Sequence, residues 1–246
     1  SVFLHVPLNQ RALIELDSVK RAENFLDVFP SYIDTSVELS SYKTLEFIIE
    51  KSPVENFTEL FEDCILNGKY NDGVILRDCF DEDSNLTLTK ILYDLSNKAS
   101  EMYRGNCSTY ISKLNVYQTN PYEITVDVEL VLFFQRGNKI QWERRYKTST
   151  PVNIWGLRDP LTKDYLNRTI KIKNEYFTMK EINSLSTFYD VYENEYMFID
   201  SFAPSFIDVL EGNIQEGEFN ASKGFGINSL MSAHLMDGSS SYVNGT

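Results

Sequence analysis

The residue types that could carry chemistry are few and scattered along these 246 residues. Two histidines, His5 and His234, stand near opposite ends, and neither has a Cys or a second His at metal-ligand spacing. No nucleophile elbow, phosphate-binding loop, dinucleotide fingerprint or paired-histidine metalloprotease motif occurs. Gly224-Phe225-Gly226 lacks a third glycine and a preceding strand, so it reads as a flexible turn. The acidic run Asp81-Glu82-Asp83-Ser84-Asn85-Leu86-Thr87 alternates oxygen ligands as a calcium loop does. Leu86 at the turn-glycine position and Leu92 in place of the bidentate Glu argue against calcium. Acidic residues ahead of a helix N-terminus explain the same run through the helix dipole. Carboxylates are plentiful, but a glycosidase needs two of them facing across a cleft, which spacing alone does not supply. The expectation is a chain with no catalytic residue, no cofactor and no metal site.

Two other residue types speak of compartment instead of catalysis. The cysteines are Cys64, Cys79 and Cys107. Three thiols fit either a reducing compartment or an exported domain with one bridge and a spare. In an oxidising compartment the expected pair is Cys64–Cys79, because Cys64 lies near the end of a helix and Cys79 in the connection leaving that end. Cys107 follows another helix about 27 Å long, which would carry it to the far end of a hairpin. Asn-x-Ser/Thr sequons begin at Asn56, Asn85, Asn106, Asn167, Asn220 and Asn244. This composition gives about three by chance. Six therefore hint at an exported, glycosylated surface, and an Asn-rich sequence with unused sequons is the alternative.

The net charge of −13 argues against nonspecific binding to nucleic acid or to an anionic membrane surface. The charge is uneven along the chain. Residues 1–108 hold 10 basic and 19 acidic side chains, 109–173 hold 11 and 6, and 174–246 hold 2 and 11. Either the middle is a strand surface rich in Lys and Arg, or it is an electropositive region that docks on an acidic end of another copy.

These residues must be positioned by an α+β fold: N-terminal helices packed on an antiparallel β-meander, followed by a mixed C-terminal segment. Leu8, Ala12, Leu16, Val19, Ala22 and Leu26 recur every three or four residues and predict a helix over about 8–27, ended by Pro30. A second helix is expected over 41–51. A third should start at Ser52-Pro53-Val54-Glu55, a capping-box pattern, and stop at Gly68. A fourth is expected over about 86–104, ended by Gly105. Strict alternation at Ile124, Val126, Val128, Leu130, Leu132 and Phe134 then marks a strand between two others, 108–119 and one from Ile140. Gly137-Asn138 is the hairpin signal. The single apolar face needs a helical cover, and the N-terminal helix is the candidate. A short strand at 168–173 and helices near 179–192 and 204–210 complete a single domain over 1–246: 1–107 mainly helical, 108–173 sheet, 174–246 helices and loops. No apolar run is long enough to span a bilayer, although Ser1-Val-Phe-Leu-His-Val-Pro7 starts abruptly and could continue a preceding membrane helix.

The stretch from Trp142 to Leu161 resembles a group of archaeal membrane-anchored, pilin-like surface proteins. The residues that carry the resemblance are Val152, Ile154, Gly156, Leu157, Asp159, Pro160 and Leu161, with Leu210-Glu-Gly-Asn213 and Gly224-Phe-Gly-Ile-Asn-Ser-Leu230 further on. The group places a Tyr directly after Asp-Pro-Leu, where this chain has Thr162. The resemblance implies a single N-terminal anchor and a soluble head outside the cell; the amphipathic first helix and the uneven charge suggest other copies or surface proteins as partners, with the membrane reached through a segment upstream of Ser1. It implies no ligand or reaction. The leading expectation is a structural or interaction protein, and a ligand-binding adhesin or sensor domain is the second.

Overall fold

The computed structural model describes residues 8–71, 73–80, 86–136, 140–160, 171–172, 176–178, 197–214 and 226–229. It is α+β. Helix α1 runs from Leu8 to Lys51, α2 from Phe57 to Asn67 and α3 from Leu88 to Tyr103. A small hairpin, β1 (Lys69–Asn71) and β2 (Leu76–Asp78), lies between α2 and α3. The meander follows as β3 (Asn106–Asn120), β4 (Glu123–Arg136) and β5 (Ile140–Asn153), antiparallel in that order. A second three-stranded sheet joins β6 (Tyr176–Thr178), β7 (Met197–Ser205) and β8 (Gly226–Ser229), with α4 (Phe206–Glu211) after β7.

Strand β4 shows why the meander has one inner face. Ile124, Val126, Val128, Leu130, Leu132 and Phe134 are all buried, and the residues between them point to the other side. Helix α1 covers β5 and α3 covers β3, so the apolar face is closed by two helices instead of one. Ring contacts join α1 to α3 (Phe25 to Tyr103, 5.4 Å), α1 to the sheet (Phe29 to Tyr146, 5.3 Å) and β4 to β5 (Phe134 to Trp142, 5.5 Å).

Pro30 does not end the first helix. Helix α1 continues through it for 44 residues, about 66 Å at 1.5 Å per residue. The buried face explains the continuity: Phe25, Leu26, Phe29, Ile33 and Val37 keep one stripe on the sheet across the proline. Burial of that stripe outweighs one lost helical hydrogen bond. The stripe then turns polar and small at Ser40, Ser41 and Thr44, all buried, where the Ser40 hydroxyl donates to the Leu86 carbonyl at 2.7 Å.

The helix ends also differ from expectation. Ser52 is not a cap, because its hydroxyl turns back onto the Ile49 carbonyl at 2.8 Å; Asn56 caps α2. Helix α3 ends on Arg104 in the left-handed conformation instead of on Gly105. Gly105 has a different reason to be glycine: a Cβ there would lie 2.5 Å from Phe134 Cζ. Gly68 and Gly212 close α2 and α4 with positive φ, as C-terminal glycines do. In the C-terminal part, Gly226 belongs to β8 instead of a turn, and β7 occupies a stretch for which the sequence gives no strand signal. The helix expected over 179–192 and most of the strand expected over 168–173 lie outside the described residues.

Candidate functional site

Among the described residues a groove of about 560 Å³ lies between the end of α1, the start of α2 and the β1–β2 hairpin. Its back wall is the linker 52–56. Helix α4 holds that linker from behind: the Val54 N–H donates to the Leu210 carbonyl at 2.9 Å, and the Phe57 N–H donates to Glu211 Oε1 at 3.0 Å. Gly212 stands where a Cβ would touch Pro53 at 3.0 Å. The groove is lined by residues 51–73, and its linker is braced by a helix 154 positions further on.

Its front wall is the hairpin, and the hairpin is fixed by a disulfide. Cys64 on α2 and Cys79 beyond β2 are bonded, with their Cα atoms 5.6 Å apart. This is the pair expected from the sequence. The Cys79 N–H also donates to the Gly68 carbonyl at 2.8 Å, so the returning strand is anchored twice. At the hairpin turn the Asn71 side chain accepts from the Gly73 N–H at 3.1 Å, and Gly73 supplies a φ of +87°. Beyond it Val74, Ile75 and Leu76 are exposed, Val74 at 86%.

The lining mixes an aromatic ring with opposite charges. Tyr70 packs against Phe47, centroids 5.5 Å apart, and Lys51 Nζ lies 5.6 Å over the Phe47 ring. Glu55, Glu59 and Asp63 bring three carboxylates to the same groove. The crowding of like charge on α2 has a visible effect: partial burial, then Asp63 and Glu59, push the neighbouring Glu62 carboxyl above its ordinary range. Among the described residues no three Cys, His, Asp or Glu side chains are close enough together to hold a metal ion. The arrangement suits hydrogen bonding and ring contact with a polar organic group.

Asn56, one of the six sequon residues, lines this groove and is exposed. Asn106 is exposed at the start of β3, next to the buried Cys107. Asn85, Asn167, Asn220 and Asn244 lie outside the described residues, as do His5, His234 and the run Asp81–Asn85. Thr87 and Leu92, at the end of that run, serve other ends: Thr87 caps α3 and Leu92 is buried in the core. Cys107 is a buried free thiol, pushed up to about 11 by burial and lowered only partly by its hydrogen bond with Ser96.

Among the described residues of 109–173, the charges on the outward face of the meander are mixed. On the outward face of the meander Lys113 and Lys147 flank Glu129 across the strands, and Arg145 lies beside Glu143. Asp127 shares the face. Opposite charges alternate there, which is the strand-surface alternative and not a single-sign patch. The residues Val152, Ile154 and Leu157 are core, and Gly156 turns the chain with φ +82° against the Tyr42 hydroxyl. They mark packing and a turn. Sequence patterns did not expose the groove, although Asn56 begins a sequon three residues after Pro53. Among the described residues no helix is long and apolar enough to cross a membrane. No protein-family model matches the chain, and no curated relative or solved structure is found similar to it.

Proposed function

We propose that the chain is a non-catalytic structural or interaction domain of the cell surface, tethered on its N-terminal side and working against other copies of itself or other surface proteins. The observation that carries this reading is the disulfide-pinned hairpin. A bond between Cys64 and Cys79 persists where the surroundings are oxidising. It holds Val74, Ile75 and Leu76 out in solvent, where three adjacent apolar side chains are costly unless a partner covers them. The pilin-like resemblance of residues 142–161 supports the same location.

The test is labelling of intact native cells with a membrane-impermeant amine reagent, followed by size analysis of the released protein. The reading expects labelling from outside and association that Val74→Asp and Ile75→Asp weaken. A protein found only inside lysed cells, with three free thiols, would sink it. The groove favours a second reading, an adhesin or sensor that binds a small polar ligand. Thermal shifts with neutral oligosaccharides that leave association untouched would favour that reading.

A further inference from the structure

We propose that Asn56 carries an N-linked oligosaccharide and that the groove beside it seats the first sugars of that glycan; this rests on the external location proposed above. The sequon Asn56-Phe57-Thr58 has both its Asn and its Thr exposed. Asn56 is also the cap of α2, and the cap leaves the modified atom available. Its Oδ1 accepts from the Glu59 N–H at 3.2 Å, which fixes the amide orientation, and its Nδ2 donates to Glu59 Oε2 at 3.2 Å. Glycosylation replaces one of the two Nδ2 hydrogens. The second remains for Glu59, and the capping oxygen is untouched.

In the transfer, a lipid phosphate-linked oligosaccharide is the donor. The bond from its anomeric carbon to the phosphate oxygen breaks, the bond to Nδ2 forms, and the amide proton leaves with the released lipid phosphate. The first sugar then starts on the groove rim, because Asn56 is part of the lining. The groove's chemistry suits it. Tyr70 offers an apolar ring backed by Phe47. Glu55 and Asp63 accept hydrogen bonds, and Lys51 and the Asn71 amide donate them. A neutral sugar, whose hydroxyls donate and accept, satisfies both sets. A cation would meet Lys51, and an anion would meet the carboxylates. The volume of about 560 Å³ holds a short oligosaccharide.

The experiment is glycopeptide mapping of the full-length protein from its native cells, with melting of wild type, Thr58→Ala, Tyr70→Ala and the double variant. Thr58→Ala removes the sequon and keeps the Asn56 cap. We expect a glycan on Asn56, a melting temperature lower by about 3 °C in Thr58→Ala, and a Tyr70→Ala effect that is smaller once the glycan is gone. An occupied Asn56 with equal Tyr70→Ala effects in both backgrounds overturns the seating. A bare Asn56 beside occupied sequons elsewhere overturns the inference and leaves the external location standing. Bare sequons throughout, with the protein inside the cell, overturn both.

Discussion

The Tyr146 hydroxyl donates to the Leu26 carbonyl at 3.3 Å, and Leu26 is the residue whose helical partner Pro30 removes. A proline has no N–H to return to the carbonyl four residues earlier. Strand β5 thus supplies from outside the hydrogen bond that α1 cannot make for itself. The same Tyr146 ring rests on Phe29, which keeps the phenol at the break. Burial raises the Tyr146 phenol above its ordinary value, so it remains a donor throughout the neutral range.

Tyr146→Phe should therefore cost about 1 kcal/mol, the usual worth of one hydrogen bond to a buried carbonyl. In a Pro30→Ala background the restored N–H serves Leu26, and the same change should cost close to nothing. Urea unfolding of the four proteins measures the coupling. Equal costs in both backgrounds would show that the hydroxyl and the proline act independently.

Replacing Cys64 and Cys79 together by Ala should lower stability by roughly 3 kcal/mol, the entropy of a loop closed by residues 15 apart. Thiol titration offers a companion measurement. The native protein should show no reactive thiol, the unfolded unreduced protein one, and the unfolded reduced protein three. Cys107 is the single thiol, silent in the fold because it is buried and its thiolate is disfavoured. Three reactive thiols without reductant would refute the bridge.

Glu62 should respond to pH with a defined sign. Its carboxyl is raised in the fold, so the native state holds the proton more tightly than the unfolded chain. Its contribution is fully present below the ordinary carboxyl range and is lost as pH rises through the raised value. At neutral pH Glu62→Gln should stabilise by roughly 0.3 kcal/mol, a small figure because solvent screens the group. The gain should vanish in acid. Thermal melts at pH 3.5 and 7 compare the two, and a gain of equal size at both would contradict the repulsion.

Gly105→Ala should destabilise by about 2 kcal/mol, since the added carbon meets both Phe134 Cζ at 2.5 Å and the Gln135 carbonyl at 2.9 Å. Gly73→Ala meets nothing within 4 Å and loses only the ease of its positive φ, about 1 kcal/mol. Chemical denaturation ranks the pair, and the reverse order would place Gly105 wrongly against Phe134.

The meander was legible because β4 alternates its apolar residues from Ile124 to Phe134, and burial follows that alternation from Val126 on. Breaks in helices were less legible: at Pro30 packing on the sheet overrides a local rule, and at Ser52 a bond back to Ile49 takes the hydroxyl and leaves the cap to Asn56. Tyr146 and Leu26 are 120 residues apart, and no local pattern announces their bond. The disulfide could be anticipated from which helix end each cysteine occupied. The groove could not, since its linker is fixed by Leu210 and Glu211. A cap reads as a cap only when its neighbours are known, which is why Asn56 was visible as a sequon and not as the start of α2.

The clasp between α4 and the 52–57 linker sets an order on assembly. Hairpins β3–β4 and β4–β5 join neighbours along the chain, so their ends meet at small entropic cost. The bond from Phe57 to Glu211 closes a loop of 154 positions and must wait until residue 211 has left the ribosome. During synthesis, helices and meander can therefore form while the linker is still unclasped. The Phe57 N–H gains its partner only when α4 arrives. A chain truncated shortly before Phe206 would be a particle with its central sheet made and its helix junction open to chaperones and proteases.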